Sequence, residues 1–248
     1  MKEITKYIHI GYPKNLSTTL QRDYFPKHSE ILHLGVGVHS NIDYVDDMVN
    51  LAMEDYLLYC KEFRYIEKKE HIKGCFENWF RKAQDQGYKA VGVSAELLSF
   101  SFSPDHIDVT TKANRLYEIF GKNTKIVMII RNQVDLIKSM YRECIKIGYP
   151  YSYKDFIDYV YYFQDRNFMY DFKYHHTFQL YAELFGRENL VIIPIENYRD
   201  NRDGSLIKEG NRIKLVSDLS EALELQYEPL NLGHYNPPFD NKALHAKM

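Results

Sequence analysis

The sequence predicts an α/β fold in which helices flank a central parallel sheet and further helices are added in the second half. Short apolar segments alternate with segments of helical periodicity, which is typical of βαβ units. Residues 126–130 are apolar at every position, as expected for a parallel strand that is buried on both faces. The chain has 248 residues, of which 45% are hydrophobic and 27% charged, and this is ordinary globular composition. We therefore expect residues 1–248 to form a single domain.

The predicted elements follow in order along the chain. The first strand is expected at residues 7–10, and a helix is expected from about Ser17 to the residue before Pro26, because Ser and Thr suit a first helical turn. Further strands are expected at residues 31–34, 90–93, 126–130 and 190–193, and helices at residues 42–60, 71–86, 108–120 and 134–147. Two more helical stretches, rich in Tyr and Phe, are expected within residues 153–186. Such alternation places a ligand crevice at the carboxyl ends of the strands.

Charge and cysteine content argue against several classes of function. The formal net charge of −2 leaves no general basic field for binding nucleic acid. The cysteines, Cys60, Cys75 and Cys144, form no metal-ligand pattern, and we expect them to be reduced. No apolar run reaches the roughly 20 residues that span a bilayer, and no signal-peptide pattern precedes the first strand. If Met1 is the natural start, we expect a cytoplasmic protein with no nucleic-acid or membrane partner and no metal.

The loop after the first strand carries the strongest functional signal. Residues 9–21 read HIGYPKNLSTTLQ, so a strand leads through a loop with one lysine into a helix that starts with three hydroxyl residues. Backbone N–H groups and the helix dipole favour an anion at such a helix start. Lys14 adds a positive charge, and Ser17, Thr18 and Thr19 add hydroxyl donors. The segment therefore predicts a P-loop-like anion cradle, although it lacks the GxxxxGK[ST] pattern of nucleoside-triphosphate loops.

A second anion-binding pattern follows the strand at residues 126–130. Arg131 comes directly after this strand, and Ser139 lies eight residues further on, in the next predicted helix. A guanidinium at a strand end forms a planar, bidentate phosphate clamp, and a hydroxyl adds one more donor. We expect the two side chains to converge on one phosphate.

The first of these segments resembles the 5′-phosphosulfate loop of sulfotransferases that use 3′-phosphoadenosine 5′-phosphosulfate (PAPS). That loop typically reads G-[FY]-P-K-[ST]-G-[ST]-[ST]. The chain matches it at Gly11, Tyr12, Pro13, Lys14, Ser17, Thr18 and Thr19. It departs at Asn15 and Leu16, where a small hydroxyl residue and a glycine are usual. A loop with Leu16 can still bind phosphate if this residue holds an ordinary φ angle and points away.

The second segment resembles the 3′-phosphate motif of the same family, R-N-P-x-[DE]-x-x-x-S-x-[YF]. The matching residues are Arg131, Asn132, Asp135, Ser139 and Tyr141. The resemblance implies an α/β fold of the sulfotransferase type and a PAPS site that needs no metal. Its expected members are Gly11, Tyr12, Pro13, Lys14, Asn15, Ser17, Thr18, Thr19, Arg131 and Ser139.

Two residues are expected to carry the chemistry. Lys14 is expected to stabilise the charge that develops on the leaving nucleotide. Residues 94–99 read SAELLS and resemble the bacterial pattern S-[SA]-E-x-[LF]-S, which implies that Glu96 is the general base. Partial burial would raise the pKa of its carboxyl and improve it as a base. His33 and His39, on either side of a predicted loop at residues 35–37, are rival bases.

The sequence therefore predicts an enzyme that moves a sulfuryl group from PAPS to a hydroxyl or amine of a small-molecule or glycan acceptor. Two alternatives stay open: an ATP-dependent kinase with an unusual loop, and a nucleotide-binding module without catalysis. Residues 231–237 form a polar segment in the position where the family closes over the nucleotide, and they are a candidate PAPS contact.

Overall fold

Five parallel strands form the central sheet. The computed structural model describes residues 3–36, 45–101 and 107–233. The strands are β1 (Thr5–His9), β2 (Ile31–Val36), β3 (Ala90–Ser94), β4 (Thr124–Ile130) and β5 (Leu190–Pro194), and their order in the sheet is β2-β3-β1-β4-β5. Every pairing in this sheet is parallel. The predicted α/β fold with a central parallel sheet is confirmed.

Helices connect the strands and extend the second half of the chain. They are α1 (Ser17–Thr19), continued by a π-helical turn (Leu20–Tyr24), α2 (Asp47–Leu51), continued by another (Ala52–Tyr56), α3 (Glu62–Asp85), α4 (Val109–Phe120), α5 (Gln133–Lys146), α6 (Tyr153–Tyr162), α7 (Phe168–Asp171), α8 (Tyr174–Phe185) and α9 (Lys214–Ala222). A small antiparallel hairpin, β6 (Lys208–Glu209) and β7 (Arg212–Ile213), precedes α9. None of the described helices is long and apolar enough to cross a bilayer.

Strand β4 shows that helices cover both faces of the sheet. Ile126 and Met128 belong to a core cluster with residues of α2, α3, α4 and α8. Val127 and Ile129, which point to the opposite face, pack with residues of α9 and of the π-helical turn after α1. All four side chains are fully buried. This double burial explains why the strand is apolar at every position.

Some elements differ from the sequence-based expectation. Helix α3 begins at Glu62, nine residues before the predicted start, because its first turns are largely exposed and charged and show little periodicity. Strand β2 extends to Val36, so residues 35 and 36 belong to a strand and not to the predicted loop. The hairpin β6–β7 and helix α9 were not predicted. The first part of the predicted helix at residues 42–60 lies outside the described residues up to residue 44.

The strand order brings three loops to one place. From β1 the chain runs to β2 and β3 on one side of β1, and then crosses to β4 and β5 on the other side. The carboxyl ends of β3, β1 and β4 are therefore neighbours at the point where the direction of winding changes. Ligands bind in such crevices in open α/β sheets. Glu96, the loop before α1 and Arg131 follow these three strands directly.

Candidate active site

The loop between β1 and α1 has an unusual backbone. Lys14 and Leu16 both have φ angles of 64°, in the left-handed region, and Asn15 between them does not share this positive φ. Alternating backbone conformations of this kind turn successive N–H groups to one side and form an anion-binding concavity. Leu16 is also the N-cap of α1 and gives it no side-chain hydrogen bond, so it leaves the first-turn N–H groups to other partners.

The expectation of an ordinary φ angle at Leu16 is wrong. Its φ of 64° and ψ of 8° are those that a glycine adopts without strain. A left-handed non-glycine residue costs about 1–2 kcal/mol. The Leu16 side chain is partly buried against the core cluster that contains Leu20 and Leu215, and this contact offsets part of the cost. Leucine therefore holds here a backbone conformation that glycine adopts without strain.

We expect two substitutions at Leu16 to separate the backbone from the side chain. Leu16→Gly should leave the free energy of unfolding within about 1 kcal/mol of wild type, because relief of strain offsets the lost apolar contact. Leu16→Val should lower it by about 1–3 kcal/mol, because a β-branched residue is poorly tolerated at positive φ. Urea denaturation measures both values. Equal stability of the two variants would show that residue 16 is not left-handed in solution.

Interior hydrogen bonds hold the loop in place. The hydroxyl of the buried Tyr12 is hydrogen-bonded to the Asp171 carbonyl oxygen (3.0 Å) and to Thr177 Oγ1 (2.9 Å). Asn15, also buried, donates from Nδ2 to the Ile129 carbonyl oxygen at 3.0 Å. The side chains of Tyr12 and Asn15 thus anchor the loop to α7, α8 and β4. Any contact of these two residues with an anion would come from their backbone N–H groups.

Gly11 is explained by the close approach of a buried histidine. A Cβ atom at Gly11 would lie 2.6 Å from Nε2 of His9 and 3.2 Å from Oγ of Ser17. His9 Nδ1 is 2.7 Å from Oγ of Ser94, which also accepts a hydrogen bond from Gln21 Nε2 at 2.9 Å. His9, Ser94 and Gln21 therefore form a buried chain of hydrogen bonds beside Gly11. Burial lowers the pKa of His9 to about 3, so this histidine is neutral.

The structure links the two predicted anion-binding segments directly. Nη1 of Arg131 donates to the carbonyl oxygen of Lys14 at 3.2 Å, and Tyr174 donates from its hydroxyl to the Arg131 carbonyl oxygen at 2.9 Å. Ser139 lies half-buried on α5, and its hydroxyl forms no hydrogen bond with another described residue. The Arg131 side chain therefore lies against the loop, while a shared phosphate at Arg131 and Ser139 stays a prediction.

Glu96 lies at the same site, in a short 3₁₀ turn (Glu96–Leu98) after β3. Burial raises the pKa of its carboxyl to about 7, against a hydrogen bond with Ser17 and the charge of Lys14, which lower it. The nearby carboxylate of Glu143, on α5, raises it further. A carboxyl that titrates near neutral pH is well matched to accept a proton in catalysis.

Glu143 is a member of this site that the sequence motifs did not reveal. Its Oε1 lies 2.8 Å from Nζ of Lys14 and 2.7 Å from Nζ of Lys146. Burial alone would raise the pKa of Glu143, but the hydrogen bonds and charges of the two lysines lower it. Glu143 is therefore ionised at neutral pH and holds the Lys14 ammonium group. Only its spacing after Arg131, on the helix that faces the loop, offers a sequence signal.

The remaining loop residues line the start of α1. Pro13 and Ser17 are buried, and Thr18 is partly buried on the first helical turn. Thr19 donates from Oγ1 to the Gly233 carbonyl oxygen at 3.1 Å, which ties the chain segment at residues 231–233 to the loop. Residues 234–237, the rest of the predicted closing segment, lie outside the described residues.

A cavity of about 700 Å³, here called the loop cavity, opens beside the loop between β1 and α1. Leu16 and Thr19 form one wall, residues 231–233 another, and the chain from Arg199 to Ile213 a third. Nε of Arg199 and Nε of Arg131 are both buried and have no hydrogen-bond partner among the described residues. Arg199 lines this cavity, and an unpaired buried guanidinium donor at a cavity wall fits an anionic ligand.

One of the two rival bases, His33, lies in the part of the chain that the structure describes. His33 lies within β2, where Nδ1 is 2.7 Å from the Tyr7 hydroxyl and the ring stacks on Phe25. Burial, together with the nearby His9, lowers the pKa of His33 to about 3. His39 lies outside the described residues. Among the residues that the structure describes, no group of three or more His, Cys, Asp or Glu is placed to hold a metal ion.

A second cavity of about 880 Å³, here called the aromatic cavity, lies among the helices of the second half. Its ring-bearing walls are Tyr149, Phe156, Tyr159, Phe163, Phe168 and Tyr170. The carboxylates of Asp108 and Asp171 and the guanidinium of Arg166 add polar groups. The Tyr- and Phe-rich segment thus both packs helices together and lines a ligand-sized space.

Comparison with solved structures finds this fold in a sulfotransferase from Alicyclobacillus acidocaldarius. The TM-score is 0.54, and the match covers 99% of this chain and 90% of that chain at 16% sequence identity. No protein-family model matches the sequence, and no curated protein does. The fold is therefore sulfotransferase-like, with a central five-stranded parallel sheet flanked by helices.

Proposed function

We propose that this protein is a sulfotransferase that transfers a sulfuryl group from PAPS to a hydroxyl or amine of a small-molecule or glycan acceptor. The observation that carries the proposal is the hydrogen bond from Arg131 to the carbonyl oxygen of Lys14. It joins the loop that we propose binds the 5′-phosphosulfate to the arginine that we propose binds the 3′-phosphate. The sulfotransferase-like fold supports the same reading.

In the proposed reaction the acceptor oxygen or nitrogen attacks the sulfur in line with the leaving nucleotide. A bond from the acceptor to sulfur forms, and the bond from sulfur to the bridging phosphate oxygen breaks. Glu96 takes the acceptor proton, which its pKa of about 7 allows at neutral pH. The negative charge that develops on the bridging oxygen is stabilised by Lys14 and by backbone N–H groups of the loop.

Lys14 has to leave Glu143 for this role. Their ion pair is partly exposed, with side chains 24% and 33% accessible, and such pairs contribute only about 0–1 kcal/mol. The phosphosulfate brings negative charge to the same place and competes for the ammonium group. Exchange of one partner for the other therefore costs little free energy.

The aromatic cavity supports an acceptor of small-molecule or glycan size. Two of its lining residues are linked to residues of the loop site. Asp171 accepts the hydrogen bond of Tyr12 through its carbonyl oxygen, and Cys144 follows Glu143 on α5. Rings and a few carboxylates around one space are suited to bind a ring-bearing ligand with hydroxyl groups. We assign the acceptor to this cavity.

We expect the purified protein to bind 3′-phosphoadenosine 5′-phosphate (PAP), the product nucleotide, without metal. Isothermal titration calorimetry measures this, and ATP with magnesium is the comparison ligand. Arg131→Ala should weaken PAP binding by roughly tenfold or more, because a charge-assisted phosphate contact contributes on the order of 1.5–3 kcal/mol.

A matched control for this titration is Arg187→Ala. Arg187 is exposed and precedes β5, so it lies at the amino end of the strands, whereas the loop lies at their carboxyl end. The Arg187→Ala variant should bind PAP as the wild type does. Absence of PAP binding, or equal binding of ATP with magnesium, would contradict the sulfotransferase proposal. The second result would favour the kinase alternative.

A further inference from the structure

We propose that Arg199 is a second phosphate-binding guanidinium of this site. With Arg131, it would bind the phosphomonoester at the ribose 3′ position that distinguishes PAPS and PAP from AMP. The inference rests on the proposed function for the identity of the nucleotide. No motif in the sequence pointed to Arg199, which comes after a short 3₁₀ turn (Ile195–Tyr198) at the end of β5.

The sheet places Arg199 next to Arg131. Strands β4 and β5 are parallel neighbours in register, with Ile130 beside Pro194. The residues that follow the two strands therefore lie together at the carboxyl end of the sheet. The backbone of Arg199 is fixed by an antiparallel bridge to Leu206, so the residue is held in place at the cavity wall.

The two guanidinium groups each have a buried donor that an anion could pair with. Nε of each is buried and lacks a hydrogen-bond partner among the described residues. Burial lowers the pKa of Arg199, the positive charge of Arg131 lowers it further, and the carboxylate of Glu196 raises it. Two like charges with buried, unpaired donors are unfavourable unless a negative group lies between them.

The carboxylates around the cavity have other partners. Asp200 forms a two-pronged contact with Arg202, with distances of 2.9 and 2.6 Å. Asp203 accepts from the backbone N–H of Ser205 at 2.9 Å. The charge of Glu196 raises the pKa of Arg199, but Oε1 of Glu196 accepts a hydrogen bond from the backbone N–H of Asn132 at 2.7 Å.

A phosphomonoester matches this arrangement better than a hydroxyl group does. It carries close to two negative charges at neutral pH and several acceptor oxygens, so two planar guanidinium groups can each donate to it. Leu16 and Thr19 line the same cavity as Arg199, so a nucleotide anchored at the phosphate loop would reach it. AMP lacks the 3′ group and would gain little from Arg199.

The test compares PAP with AMP by calorimetry in wild type, Arg199→Gln, Arg199→Lys and the control Arg187→Gln. We expect Arg199→Gln to weaken PAP binding by roughly tenfold or more and to leave AMP binding nearly unchanged. Arg199→Lys should recover part of the loss, because the charge remains without the planar fork. The ligand-free melting temperature of Arg199→Gln should equal or exceed that of wild type, because repulsion from Arg131 is removed.

Two results would overturn the assignment. One is wild-type PAP affinity in Arg199→Gln, and the other is an equal loss of PAP and AMP affinity together with a lower melting temperature, as a structural arginine would give. If the wild type binds no PAP, the proposed function fails. The anion site is then tested separately, by the melting temperatures of wild type and Arg199→Gln in added inorganic phosphate. A phosphate-induced rise that is lost in Arg199→Gln supports the anion site, and no such difference overturns it.

Discussion

Glu96→Gln is expected to lower kcat by about 10²–10⁴-fold and to leave PAP binding close to the wild-type value. The amide has the same shape and keeps a hydrogen bond with Ser17, but it cannot accept the acceptor proton. Formation of PAP from PAPS, with an acceptor found in a screen of phenols, amines and sugars, measures the rate. A wild-type rate in Glu96→Gln would remove Glu96 from the reaction.

The pH dependence follows from the same carboxyl. Glu96 acts as a base only when ionised, and its pKa is about 7 because of burial and the nearby Glu143. The rate should therefore fall as pH decreases through about 7 and level off above it. The same raised pKa means that ionisation of Glu96 destabilises the fold, since a buried carboxyl binds its proton more tightly in the folded state.

Glu143→Gln is the matched control for that profile. It removes a negative charge that raises the pKa of Glu96 and frees Lys14, whose charge lowers it. Both effects act in one direction, so the acidic limb of the profile should move to lower pH while the enzyme stays active. A limb at the same pH in Glu143→Gln would show that another group controls the profile.

The sequence was most informative about which parts of the candidate site lie together. The β1–α1 loop, Arg131 and Glu96 could be placed at one edge because parallel strands end together, and the structure has them there. The conformation of Leu16 could not be foreseen from its residue type. A leucine becomes left-handed only where tertiary packing, here against the cluster around Leu20, outweighs its local preference.

Other features depend on contacts between distant parts of the chain. Glu143 pairs with Lys14 across more than half of the chain, and Arg199 lines the loop cavity only because the hairpin that follows it folds back beside the β1–α1 loop. Neither residue sits in a recognisable motif. Helix α9 differs, since Leu215, Val216 and Leu219 are apolar at helical spacing, and this signal was present in the sequence.

Lys14→Met is expected to lower kcat by about 10²–10³-fold, a loss typical when one preorganised donor to a developing negative charge is removed. PAP carries no sulfuryl group and has no bond to break, so its affinity should fall much less than kcat does. Methionine preserves most of the apolar stem. Because the Lys14–Glu143 pair is partly exposed and contributes only about 0–1 kcal/mol, the variant should fold.

The ion pair itself supplies the decisive comparison for Lys14. If Lys14 mattered only by pairing with Glu143, then Lys14→Met and Glu143→Gln would have the same effect on kcat. If Lys14 instead stabilises the leaving nucleotide, Glu143→Gln leaves the ammonium group free for that role. Its rate above pH 7 should then stay within about fivefold of wild type, the factor that corresponds to about 1 kcal/mol. Equal losses in the two variants, measured by steady-state PAP formation at saturating PAPS, would assign Lys14 to structure and not to the transfer step.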